Sequence, residues 1–377
     1  MRSGFSHTSV LLLAVAAACG SDRLREGDDV VLKGPFEQLG ETFTYVTSVR
    51  ELSDGAVIVT DPREQKIVLG RFGDSLVQMV GRRGAGPEEW STAVALHPLG
   101  GDSSVQADPT TRRLIYFDGS RVAASAPPEV ATRAHALGML QGASADGSLF
   151  SMRAPAPSTV GPRDLTPNDS LALVRIATTS DRADTIAMLR DAPGRVHARR
   201  EADGTFRDFA LSRPAMAVSE IFAVFPDGWV AIARLEPYRV DWIDSFGQMH
   251  LGEPIPIVPR MFDARTREQY LARHRRAIEQ LETAPAEVRE VLGTRYAEFP
   301  REVPPFDASS LVAGMDGRLY VRRAEPGFAS HTRYDVVDRT GALARLALPS
   351  DARLVTATRE HLYVVRRDSL DVEYLRR

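Results

Sequence analysis

A short phrase recurs along this chain and limits its fold more than any single motif. Ser48 to Asp61, SVRELSDGAVIVTD, reads as a short strand, an Asp-Gly turn and a β-branched strand. The same phrase returns as LQGASADGSLFSMR ending at Arg153, IFAVFPDGWVAIAR ending at Arg234 and SLVAGMDGRLYVRR ending at Arg323. VALHPLGGDSSVQAD, ending at Asp108, carries a Gly-Gly turn instead, and LVTATREHLYVVRR, from Leu354, lacks the turn signal. A third short strand follows most copies, at Lys66, Arg113, Arg239 and Arg333, often with a further turn. A unit of four strands in about 45 residues is the period of a β-propeller, whose blades bury their faces only against one another. Six units are present. The fold class predicted is therefore all-β, a six-bladed β-propeller with a small helical insertion.

A ring of blades must close, because an open first or last blade exposes strand edges. The last unit supplies three strands before the chain stops. Asp29 to Lys33, DVVLK, is an apolar strand without a partner upstream of the first unit. The economical prediction pairs it as the outer strand of the last blade. The propeller then spans residues 29–377.

Two kinds of segment break the pattern. Residues 260–299 are helical in character. Tyr270, Leu271, Ile278 and Leu281 recur at helical spacing, Asp263 suits an N-cap, and Pro285 starts a second helix carrying Val288, Val291, Leu292 and Tyr296. This element reads as a hairpin packed on the blades, a lid over the channel mouth or a partner-binding element. Ala154 to Asp169 is Pro-rich and reads as an exposed loop, and Arg190 to Arg213 as a long polar loop.

The N-terminus is laid out as a secretory signal over residues 1–18. Arg2 precedes the apolar run Val10 to Ala18, which is too short to span a membrane. Cys19 is the single cysteine, so no internal disulfide forms. The segment VAAAC resembles the lipobox of bacterial lipoproteins, with Ala16 where that motif usually has leucine. The resemblance implies cleavage before Cys19, lipid on its thiol and anchoring in the bacterial cell envelope. The expected site is the outer membrane, facing periplasm or surface. Residues 19–28 are polar and read as a flexible tether.

The stretch GRRGAGPEEW, Gly81 to Trp90, invites a phosphate-loop reading. It lacks the Lys-Ser/Thr that such a loop needs, and a strand follows instead of a helix. It falls where blade one crosses to blade two, so it is expected to be a connector anchored by Trp90. The run from Asp54-Gly55 through this stretch resembles the first blade of the six-bladed β-propeller lipoproteins of bacteria, relatives of NHL-repeat propellers. Glu88 stands where that family's phrase has its last glycine. The resemblance implies fold and envelope location and brings no activity with it.

Catalytic motifs of the HExxH, GxSxG, Walker and EF-hand types do not occur. The eight histidines are scattered. His97 and His361 are placed to face the channel, but no His or Cys pair has zinc-ligand spacing. No cofactor and no metal are called for. The net charge of -3 gives no nucleic-acid signal, and all basic residues except Lys33 and Lys66 are arginines. The second-strand ends of the six units are Asp61, Asp108, Arg153, Arg234, Arg323 and Arg366. On a propeller these form a ring on one face. The four arginines are candidates for clamping an anionic ligand, while the bland reading pairs each with a neighbouring acid.

The expectation is a monomeric, lipid-anchored propeller that binds a protein, peptide or glycan. Two other classes stay open: a propeller-class lyase or hydrolase with its site at the axial channel, and a structural subunit of an envelope assembly.

Overall fold

The computed structural model describes residues 29–32, 36–125, 140–153, 163–165, 170–178, 182–200 and 206–377. Six antiparallel blades stand in a ring. Their innermost strands are Ser48–Glu51, His97–Pro98, Leu140–Ala143, Ile221–Val224, Phe306–Ala313 and Ala352–Ala357. In each blade the chain moves outward strand by strand and then crosses to the next blade. The turn glycines explain why the phrase repeats. Gly55, Gly147, Gly228 and Gly317 all have φ near +80°, a region costly for a residue with a Cβ.

The core lies between blades. Leu52, Ile58 and Ile67 of blade one pack on Ile115 and Phe117 of blade two, while Phe150, Leu173 and Leu189 of blade three pack on Phe222, Val230 and Ile232 of blade four. Second strands are therefore buried on both sides; Val57 to Asp61 has no exposed residue.

Closure occurs, but through a different strand from the one expected. Gln38–Phe43 pairs antiparallel with Glu373–Arg376 and completes blade six. Glu37 and Arg377 exchange both backbone hydrogen bonds, at 3.1 and 3.0 Å. Val30–Val31 instead pairs in parallel with Leu343–Pro349, adding a fifth strand to blade five. The reason is burial: Leu39 and Phe43 are sealed in the core, whereas Val30 and Val31 stay about two-fifths exposed.

Loops joining first to second and third to fourth strands share one face, the turn face. Loops joining second to third strands, and the blade crossings, share the other, the connector face. The helical insertion lies in the crossing from blade four to blade five. It has helices Ala264–Arg273, Arg275–Glu282 and Ala286–Ala297, so the first predicted helix is broken at His274. Asp263 caps it as expected, accepting from Thr266 N at 2.8 Å. Tyr270 packs with Phe262, Phe299 and Tyr296 into a small aromatic core of its own.

The segment read as a long polar loop is largely strand. Gly194–Arg200 and Phe206–Ser212 pair with each other, and Arg163–Leu165 joins them in an accessory sheet. Backbone pairing at a sheet outside the main core does not demand the apolar alternation by which strands are recognised. The rest of the Pro-rich segment lies outside the described residues, as do the signal, Cys19 and the tether.

Candidate functional site

The two faces are built differently. On the turn face the first turns are tight and tied to one another. Ser53 N donates to Asp102 Oδ1 at 2.8 Å, Ala145 N to Pro226 O at 2.7 Å and Met315 N to Ala357 O at 2.7 Å. The connector face carries every long insertion: the GRRGAGPEEW stretch, the accessory sheet and the helices. Binding residues collect on loops held by a rigid scaffold, so this asymmetry points to the connector face.

GRRGAGPEEW does bind an anion, its own. Gly86 N donates to Glu89 Oε2 at 2.8 Å, and Arg82 Nε donates to Glu89 Oε1 at 2.7 Å. A Cβ on Gly84 would collide with that carboxylate. The Gly86 amide and Arg82 hold the Glu89 carboxyl below the usual range. Arg113 of blade two donates to Gly86 O and Glu89 O, and Trp90 is fully buried between the blades. The connector reading holds.

The predicted ring divides into two designs. Asp61 and Asp108 are fully buried and work as clasps. Asp61 accepts from Thr44 N and Tyr45 N in the crossing, and from Arg63 N and Glu64 N in its own turn. Asp108 repeats this with Ser91, Thr92, Thr110 and Thr111. Burial pulls the Asp108 carboxyl up, but these donors outweigh it and hold it below the usual range.

The arginine positions meet acids instead. Arg234 pairs with Glu220 and with buried Asp241, both at 2.8 Å. Arg323 lies 3.4 Å from buried Asp335, and Arg366 pairs with Asp351. Arg153 is exposed at the end of its strand. Three of the four thus have carboxylate partners within the fold.

Sequence reading passed over the neighbours of these residues. A cleft of about 370 Å³ opens on the connector face between blades five and six. Arg322, Arg353 and Arg367 line it from the blades, Arg273 from the first helix and Tyr45 from the crossing into blade one. Arg353 donates to Glu373 Oε2 at 2.8 Å and stacks over Tyr45 at 5.0 Å; Arg367 donates to Glu373 Oε1 at 2.8 Å. Arg322 pairs with Asp307 at 3.0 Å. Among the described residues Arg273 donates to carbonyls alone, Glu325 O at 2.7 Å and Gly327 O at 3.3 Å, which fixes its helix to blade five without cancelling its charge. The cleft contains four arginines against Asp351 and Glu373.

Of the two histidines, His361 sits 3.5 Å from Glu51 on the turn side. His97 donates to the Leu140 carbonyl, and burial pushes its imidazole down to about 4. The unfolded imidazole protonates near 6.5, so between these values the unfolded chain binds more protons. Stability should therefore fall as pH drops from 7 to 5. The residue is half-buried, so His97 should contribute on the order of 1 kcal/mol of that loss rather than the full shift. Urea titrations of wild type and His97→Gln at both pH values check this: the variant should lose less, and parallel losses would refute it. Among the described residues no group of three His, Cys, Asp or Glu side chains converges on a metal position. No described helix is long and apolar enough to cross a membrane.

No family model and no curated protein matches the chain. Among solved structures it is similar to regucalcin, a calcium-binding protein from Agrobacterium tumefaciens, with 10% identity over 92% of this chain and 94% of that one, TM-score 0.36. Virginiamycin B lyase from Staphylococcus aureus aligns with 10% identity over 91% and 98%, TM-score 0.37. A protein of unknown function from Bacteroides thetaiotaomicron aligns with 8% identity over 92% and 73%, TM-score 0.40.

Proposed function

We propose that this protein is a lipid-anchored binding module of the bacterial cell envelope. Its connector-face cleft takes an acidic group of a protein, peptide or glycan partner. The observation that carries the reading is the convergence of Arg273, Arg322, Arg353 and Arg367 on one cleft of the face that bears all the insertions. Guanidiniums offer paired donors to carboxylates, and an arginine held by carbonyls alone keeps its charge for a ligand. The anchor is supported by the lipobox-like VAAAC segment before Gly20.

Fluorescence anisotropy with a labelled hexaglutamate peptide and a labelled oligogalacturonate tests the cleft. At least one should bind with strong salt dependence, and Arg273→Glu with Arg322→Glu should weaken it at least about tenfold, about 1.4 kcal/mol. Binding unchanged in that variant, or absent for both probes, refutes the cleft. Mass spectrometry of the mature N-terminus tests the anchor separately: a diacylglyceryl group on Cys19 is expected, and an unmodified Cys19 rules it out.

A further inference from the structure

The axial channel ends on a buried cation. Arg50, on the inner strand of blade one, is 6% exposed. Its Nη2 donates to Gly101 O in the first turn of blade two, and its Nη1 reaches Met315 Sδ at 3.6 Å in the first turn of blade five. Blade six lies between blades five and one, so the guanidinium stretches across the axis at the turn-face end. Its Nε is shielded from solvent and has no hydrogen-bond partner among the described residues. Asp102 attracts it through charge without a hydrogen bond to it, while accepting from Ser53 N and Oγ. Glu51, the next residue, faces blade six, with Oε1 3.5 Å from His361 Nδ1. A guanidinium offers five donors, and a buried donor left without an acceptor is costly.

Beside it lies a cavity of about 200 Å³ lined from all six blades. Phe222, Val224, Leu311 and Val355 form the apolar part of its wall, with Gln141, Thr356 and the Glu51 carboxyl among the polar lining beside Arg50. An apolar protein cavity of about 150 Å³ accepts benzene. The space therefore suits a compact apolar body with one negative end.

We propose that the axial channel is a binding site for a small monocarboxylate whose apolar part is about the size of a benzene ring. The carboxylate meets Arg50, and the body rests against Phe222, Leu311 and Val355. This site is separate from the connector-face cleft.

Calorimetry of the full chain with benzoate, isovalerate, benzamide and benzyl alcohol tests it. At least one carboxylate should bind, and the neutral benzene derivatives should bind at least about tenfold more weakly than benzoate. Arg50→Met should remove the preference for the carboxylate. Ala313→Phe, which fills the channel without touching the charge, should remove binding at this site. A 4-bromobenzoate soak of wild-type crystals should place the bromine anomalous peak on the propeller axis, a readout independent of either variant's folding. Failure of both carboxylates to bind, no preference over the neutral analogues, or a bromine peak only at the surface overturns the proposal.

Discussion

Trp90→Ala should lower the free energy of unfolding by about 3–5 kcal/mol. Trp90 is fully buried among Leu52, Ile67 and Val80 of blade one and Ile115 and Phe117 of blade two. Its Nε1 donates to Val80 O at 2.8 Å, so truncation opens a cavity and also strands a buried carbonyl. The backbone ladder in the crossing it anchors is short: Arg82–Arg83 and Glu89–Trp90 form two residue pairs. Trp90→Phe keeps most of the volume and loses the donor, and should fall about midway. Urea denaturation followed by circular dichroism measures all three chains. A loss under about 1 kcal/mol for the alanine variant would mean that the crossing collapses around the gap without cost.

Asp335→Ala should be of similar size, for an electrostatic reason. Asp335 is fully buried in blade five. Tyr238 of blade four donates to its Oδ2 at 2.9 Å, Arg323 Nε lies at 3.4 Å, and Arg345 Nε, on a residue 7% exposed, at 3.6 Å. Burial pushes the Asp335 carboxyl up, against the pull of the two arginines. Removing this acid takes the shared counter-charge from two sheltered guanidiniums, and breaking such a set typically costs about 3–5 kcal/mol. The double variant Asp335→Leu with Arg345→Leu should recover most of the loss, because the buried charge leaves with its partner. If the double variant is as unstable as the sum of the singles, the charges are not coupled and the network has been misread.

How far these features were legible depended on whether the signal was local. The blades were readable because an Asp-Gly turn with positive φ is written in adjacent residues, and so were the Asp263 cap and the Trp90 anchor. Closure was readable as a need but not as a strand. DVVLK advertises β-branched residues yet pairs at the outer edge of blade five. QLGETF hides its two core residues among polar ones and a glycine. The accessory strands carried too few apolar residues to stand out from a loop. Charge was legible only as inventory. The acids that meet Arg234, Arg323 and Arg366 come from other strands or the next turn, a matter of register. The residues that line the cleft, Arg322 and Arg367, sit one place along from two ring candidates. Arg50 looked like an ordinary polar position in an alternating strand, and nothing in SVRELSDG marks it as lying across the axis.

The clasp between the two ends of the propeller has a consequence for synthesis. Val46 N donates to Glu373 Oε2 at 2.8 Å, and Arg353 donates to the same carboxylate oxygen. The strand that completes the last blade lies before the first blade in the chain, and it must wait for almost every later residue of the ring before it finds its partner. A nascent or interrupted chain that stops short of Glu373 therefore keeps unpaired edges on show, which proteases and chaperones recognise. Only a chain translated through that point can pair them.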